Sequence, residues 1–393
     1  MKKKFSTLII VIILAVLVVS AVTAGLIVKK RIDDRTVNIA FYGLSDNMID
    51  EIKKHIPQQE KIIVKYAVLA PGNVDLKAVT SKYDMLFTHK GELTDSLEGG
   101  VEAVPGKILE NIPNSLRNKW CLPLLLDHFE MNLYKPVLAK TQVSDIDSFD
   151  NFEDYLKNAS KYVFSPFFTN GSDDRVLLAL IGTIAEAQGG LASYQKLILE
   201  MRKAEALEDF LNVELAPEGQ TSVTVKGILD MLKEWAAEGM CHPQWFFANS
   251  VDVNVFAQDQ QLAAFFTSLS SHREISYRIV ADYETVRMPC NSDNIEHAII
   301  APAVCAVLLS DNINCKNYLK EIMTAEVQSE MSNSTMLGPV HYRAECYDLQ
   351  ADDVRFWAAS CAGGAVPDLS LAVYQRKPDL QAKIAGEIRG YLK

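Results

Sequence analysis

An α/β fold preceded by one apolar N-terminal helix is predicted by three features of the 393-residue chain. A strand pattern, a helical pattern and a second strand pattern follow one another directly after residue 35; the middle of the chain is rich in amphipathic helices; and apolar strand-like runs return after residue 260. Strand, helix and strand in that order imply a right-handed crossover and a parallel sheet. A composition of 49% hydrophobic and 23% charged residues is that of a globular chain long enough for two domains, and it excludes disordered, collagen-like and disulfide-scaffold classes.

Each element has its own signal. Residues 5–28, FSTLIIVIILAVLVVSAVTAGLIV, are uncharged and mostly apolar, with Lys2, Lys3 and Lys4 before them and Lys29, Lys30 and Arg31 after. At about 1.5 Å per residue this stretch exceeds a hydrocarbon core of roughly 30 Å, so a membrane helix is expected there. Leu26, Ile27 and Val28 continue the apolar run, which favours an uncleaved anchor. Val22 and Ala24 ahead of Gly25 offer the alternative, a cleaved signal peptide. Both readings export the remaining chain, and the N-terminal lysines are expected to stay on the cytoplasmic side.

TVNIAFY alternates Val37, Ile39 and Phe41 and reads as a strand, with Gly43 in the following loop and Ser45 as a helix N-cap. DNMIDEIKKHI spaces Met48, Ile49, Ile52 and Ile56 as a helix that Pro57 stops, and KIIVKYAVL and YDMLFT supply two more strands. SFDNFEDYLKNA lines up Phe149, Phe152, Tyr155 and Leu156. DDRVLLALIGTIAEAQGG starts on carboxylates suited to a positive helix end, and KGILDMLKEWAAEG carries Ile228, Met231, Leu232 and Trp235 on one stripe. Trp235 is therefore expected in a core. QQLAAFFTSLS, TVRMP and AIIAPAVCAVLLS return to strand patterns, the last placing Cys305 in a core.

Charge and motifs narrow the function. The chain has 39 basic and 50 acidic residues, of which seven and two fall in the first 35, leaving 32 against 48, a net of −16, in the rest. Nucleic acid is not expected as a partner of so acidic a surface. The cysteines at 121, 241, 290, 305, 315, 346 and 361 form no CxxC, and the seven histidines form no HxH or HExxH, so neither a metal nor any other cofactor is expected. GxSxG, GxGxxG and GxxxxGK[ST] motifs are absent, and no catalytic residue is assigned.

The segment 301–340, APAVCAVLLSDNINCKNYLKEIMTAEVQSEMSNSTMLGPV, resembles part of the extracellular solute-binding proteins of the maltose-binding type, with Glu326, Gln328, Gly338, Pro339 and Val340 at that family's motif positions. LPLLLDHFEMNLYKPVLAK is similar to its crossing strand, where Asn132, Leu133, Tyr134 and Lys135 form a rearranged aromatic-Asn-Lys ending. VSDIDSFDNFEDYLKNA resembles the helix opening, with Ser148 and Phe149 in place of a Thr-Trp-like element, and VNVFAQDQQLAAFFTSLSSHREI is similar to the segment that crosses back between lobes. The likeness covers most of residues 36–345.

The resemblance implies a two-lobed, periplasmic-binding-protein-like fold with crossing hinge strands and a ligand held in the cleft. The expected division is an anchor or signal segment with its linker over 1–35, a first lobe from 36–128 plus 268–325, and a second from 129–267 plus 326–393. The implied role is capture of a small solute, a carbohydrate among the choices, and its delivery to the permease subunits of an ABC importer. The alternative is a membrane-tethered interaction or sensory module on the same fold.

Ligands of parallel sheets bind where strands end. The candidate contacts are accordingly Tyr42 and Ser45 after the first strand, His89 after YDMLFT, Asp127 and Phe129 in the crossing segment, Trp245 in its aromatic loop, and Ser268 and Ser271 on the return strand. Trp245 beside Phe246 and Phe247 also fits a core position, and His89 a capping one. Ser270, Ser271 and His272 stand where sugar-binding members carry an aromatic platform.

Overall fold

A computed structural model describes residues 35–393 apart from 58–61, 73, 142, 144–145, 219 and 292–294. The apolar segment 5–28 lies outside the described residues. The strand read directly after residue 35 is β1 (Thr36–Tyr42), which pairs in parallel with β2 (Ile63–Val68) and β3 (Met85–His89). Between β1 and β2 the helix Asp46–Lys54 is capped by Ser45, whose Oγ accepts the Met48 N–H at 3.3 Å. It buries Met48, Ile49 and Ile52 against the sheet.

The first sheet is completed by antiparallel strands brought from far along the chain. β10 (Ala303–Leu308) lies between β3 and β4 (Leu122–Leu126), and β11 (Gly338–Pro339) closes the edge beside β4. The second sheet has the order β6 (Ser165–Phe168), β7 (Leu262–Ser268), β5 (Phe129–Tyr134) and β8 (Tyr283–Val286). β6 was not legible in the sequence because SPFF is too short to show a period. A small parallel pair, β9 (Ile299–Ile300) with β12 (Ala365–Val366), sits where the chain passes between the sheets.

Each sheet carries its own core. Met131, Phe152, Leu177, Leu180, Trp235 and Phe265 belong to the second, and Phe41, Phe87, Leu124, Val304 and Leu319 to the first. The helical segment Asp174–Lys203, broken at Gly190 where the backbone is not helical, crosses the middle of the second core, which explains why it is apolar on nearly every side. It is long and apolar enough to cross a membrane by length and composition, but it is almost wholly enclosed by the lobe.

The packing departs from the expected division at two places. Met331, Leu337, Val340, Val354 and Ala358 lie in the first core, so within 326–393 the helices Leu369–Tyr374 and Pro378–Leu392 are the parts that join the second. The reason is β11, whose Gly338 and Pro339 pair with Leu126 and Leu125 of β4. Gly338 is required by the helix Leu349–Ser360 packed against β11, since a Cβ there would stand 2.9 Å from the Ala351 carbonyl oxygen. In the other direction β8, placed with the first lobe from sequence, pairs with β5 in the second sheet. The chain thus passes between lobes at Asp127–His128, in the segment joining β8 to β9, and again between β12 and the helix that begins at Leu369.

Candidate ligand cleft

At the first passage, neighbouring side chains point to opposite faces of the junction, as alternation along extended chain requires. Asp127 faces a cleft of about 900 Å³, whereas His128 turns away from it onto Trp357, ring centre to ring centre 5.2 Å. The cleft is bounded by the loop after β1 with the start of helix Asp46–Lys54, by the end of β3, and by the helix Ala325–Thr335. Arg175 enters it from the first turn of helix Asp174–Lys203 and Ser270 from the short helix Leu269–His272.

Its polar groups form one connected arrangement. The Asp127 carboxylate accepts the Ser270 N–H at 2.9 Å and the Ser270 hydroxyl at 2.8 Å. Burial raises its proton affinity, and the Arg175 charge together with the two Ser270 hydrogen bonds opposes that rise. Arg175 Nε donates to Asp368 Oδ2 at 3.0 Å, and its guanidinium lies over the Phe129 ring, 5.5 Å from the centre. Asp368, fully buried, also caps helix Leu369–Tyr374 through the N–H groups of Ser370 and Leu371, so the second lobe fixes the arginine firmly.

Two buried nitrogens in this arrangement have no partner among the described residues: Arg175 Nη2 and His89 Nδ1. Burial, helped by the nearby Arg175 charge, lowers the His89 pKa to about 3, so its imidazole is neutral at ordinary pH and can donate or accept. Nothing aromatic other than His89 lines the cleft among the described residues; Ser45, Asn47, Glu51, Lys54 and Thr335 are among its other polar residues, and Leu44, Met48, Val304 and Leu337 among its apolar ones.

Of the eight candidates from sequence, Ser45, His89 and Asp127 line this cleft and the others do not. Tyr42 is buried, with its hydroxyl 2.9 Å from both the Gly72 and Gln375 carbonyl oxygens, an attachment between lobes rather than a surface for a solute. Phe129 lies beneath Arg175, stacked on Phe266 at 5.6 Å. Ser268 caps helix Leu269–His272 and its hydroxyl meets Ser271, which keeps both within that turn.

Trp245 is 1% exposed in the second core. Its ring packs edge-on to Phe167 and Phe246, and it covers Gly171, where any Cβ would collide with it. Arg175 and Ser270 were missed. The rule that selects strand ends would have found Arg175 had β6 been recognised just upstream of it.

The described core has counterparts among solved structures. The bacterial solute receptor AcbH, which has an exclusive substrate preference for β-D-galactopyranose, superposes with a TM-score of 0.67 over 91% of this chain and 96% of its own, at 11% identity. A putative MsmE binding protein from Bacillus subtilis in an open conformation gives 0.66 over 91% and 96% at 13%, and apo RafE from Streptococcus pneumoniae gives 0.62 over 91% and 97% at 13%. The chain has the two-lobed solute-receptor fold. No family model matches it, nor does any curated protein. The Asp127, Arg175 and Ser270 arrangement lies between the two lobes, beside the first of the three passages of chain that connect them.

Proposed function

We propose that this chain is a non-catalytic extracytoplasmic receptor that captures a small hydroxyl-rich solute, of the sugar class, in the cleft and passes it to the permease subunits of an ABC importer, with residues 5–28 holding it at the membrane. The observation that carries the reading is the pair of unpartnered buried nitrogens, one on Arg175 and one on His89 and so one from each lobe, on residues that line a cleft of mixed polar and apolar walls. A buried polar atom without a partner costs about 1–3 kcal/mol, which a ligand oxygen placed between Arg175 and His89 relieves. The proposed contacts are Ser45, His89, Asp127, Arg175 and Ser270. The sugar-related descriptions of proteins sharing the fold support the solute class, and the shortage of aromatic lining means that recognition rests on hydrogen bonds rather than stacking.

The test is a thermal-shift screen of the full-length protein in detergent against monosaccharides, oligosaccharides, amino acids and short peptides, followed by calorimetry. A ligand at 100 times its dissociation constant adds about 2.7 kcal/mol of stability. Binding that Arg175→Lys and His89→Gln each weaken is the expected result. A panel with no shift at all sinks solute capture and leaves the tethered interaction module, which the scarcity of aromatic side chains in the cleft favours.

A further inference from the structure

Sequence spacing shows no metal motif, yet the fold gathers an imidazole, a thiol and a carboxylate at the hinge. Glu186 projects from the middle of helix Asp174–Lys203, and Cys290 and His297 come from the segment that passes from β8 to β9. One ligand atom from each lies within 4.8 Å of the other two. Glu186 Oε1 accepts from His297 Nδ1 at 3.0 Å and from the Ala298 N–H at 2.7 Å, and Cys290 Sγ stands 3.9 Å from Glu186 Oε2.

Further backbone bonds clamp this segment to the helix: Asn291 N–H to the Ala187 carbonyl at 3.0 Å and Leu191 N–H to the Glu296 carbonyl at 2.8 Å. Gly190, at φ +71°, makes the approach possible, because a Cβ there would sit 2.1 Å from Ile295. Cys290 and His297 border a cavity of about 690 Å³, which Arg287 and Trp357 also line.

We infer that Glu186, Cys290 and His297 form a three-ligand site for a zinc-class divalent cation, with its fourth position open to that cavity. Tetrahedral zinc with nitrogen and oxygen at about 2.0–2.1 Å and sulfur at about 2.3 Å puts ligand atoms roughly 3.3–3.6 Å apart, so the three side chains need move by less than about 1 Å. Thiolate and imidazole select Zn²⁺, Co²⁺ and their neighbours over Mg²⁺ and Ca²⁺, which prefer an all-oxygen cage. Thiolate and carboxylate together balance a doubly charged ion; the thiol proton and any proton on the imidazole leave to solvent as it binds. The Arg287 guanidinium close by donates to Cys361 Sγ at 3.3 Å rather than to the cluster thiol. Because the ligands belong to the second-lobe helix and to a passage between lobes, the bound ion fastens one strap of the hinge.

The test uses full-length protein in detergent, stripped with chelator and titrated with Co²⁺. The expected result is one Co²⁺ per chain with a thiolate-to-cobalt charge-transfer band, bleached by one equivalent of Zn²⁺ and untouched by Mg²⁺ or Ca²⁺. Cys290→Ser should remove the band, and His297→Ala should weaken Zn²⁺ at least about 100-fold, the upper end of what disturbing an outer partner costs. No band, or a band that survives Cys290→Ser, overturns the assignment. A second measurement needs no variant: Zn²⁺ should shield Cys290 of the unaltered protein from iodoacetamide, read by peptide mapping. Unchanged labelling of Cys290 at saturating Zn²⁺ also overturns it.

Discussion

Both sides of the lobe junction are built from first-lobe loops meeting second-lobe helices, but they are finished differently. Beside helix Glu92–Leu97 the polar groups are matched within the protein. Arg376 holds the Glu92 carboxylate through Nε at 2.7 Å and through Nη2, Arg202 pairs with Asp95, and Gln375 accepts the Leu93 N–H while donating to the His89 carbonyl oxygen at 3.0 Å. On the cleft side Arg175 and His89 each keep a buried nitrogen unmatched. A matched group favours the joined arrangement whether or not anything enters. An unmatched one favours it only when something does, and that differential is what a ligand needs to close a hinge.

The sharpest way to separate the two sides from the rest of the molecule is a lesion that touches neither. Trp245→Ala empties an aromatic site in the second core and should lower unfolding free energy by about 3–5 kcal/mol in a denaturant titration, with solute affinity of the folded protein unchanged. Intact stability with lost affinity would return Trp245 to the site. On the matched side, Arg376→Ala removes two charge-assisted hydrogen bonds from a pair that is less than one-fifth exposed, and about 1.5–3 kcal/mol of stability should go with them. Small-angle scattering of the ligand-free protein should then show an expanded radius; an unchanged radius would mean that this contact does not hold the lobes together.

On the unmatched side the smallest effect is one of pH. The His89 pKa is lowered to about 3 in the folded chain and lies near 6.5 when unfolded. Between those values the unfolded state holds a proton that the native state refuses, so this contribution is complete above about pH 6.5 and is lost as pH falls toward 3. The slope is at most about 1.4 kcal/mol per pH unit for this one group. His89→Gln should flatten the pH dependence of the unfolding free energy from urea titrations between pH 7 and 5 by up to that amount, and an identical slope in the variant would show that His89 is not the group responsible.

How much of this was legible follows from the range of each interaction. β1, the Ser45 cap and the helix after it were readable because alternation, cap chemistry and apolar spacing are all local. Trp235 in the core was readable from one helical stripe, and there it closes against Phe149 and Phe152. The membership of residues 331–358 was not, since it depends on two residues of β11 reaching β4 more than 200 positions away. Tyr42 and Ser45 flank the same loop, yet one turns to Gln375 and the other to the cleft, a choice made by lobe packing alone. The gathering of Glu186, Cys290 and His297 was hidden for the same reason: their spacing along the chain matches no motif, and only the hinge segment lying on the helix unites them.

The threefold passage between lobes also sets an order of assembly. Synthesis delivers all four strands of the second sheet by Val286 but withholds the helices Leu369–Tyr374 and Pro378–Leu392 until β10, β11 and the rest of the first lobe have been made. The first lobe, in turn, waits for β10 before β3 and β4 have a strand between them. Neither half has all its parts until the last helices emerge, and until then apolar surface of both is left uncovered. Aggregation during biogenesis, more than unfolding of the finished molecule, is the hazard this topology carries.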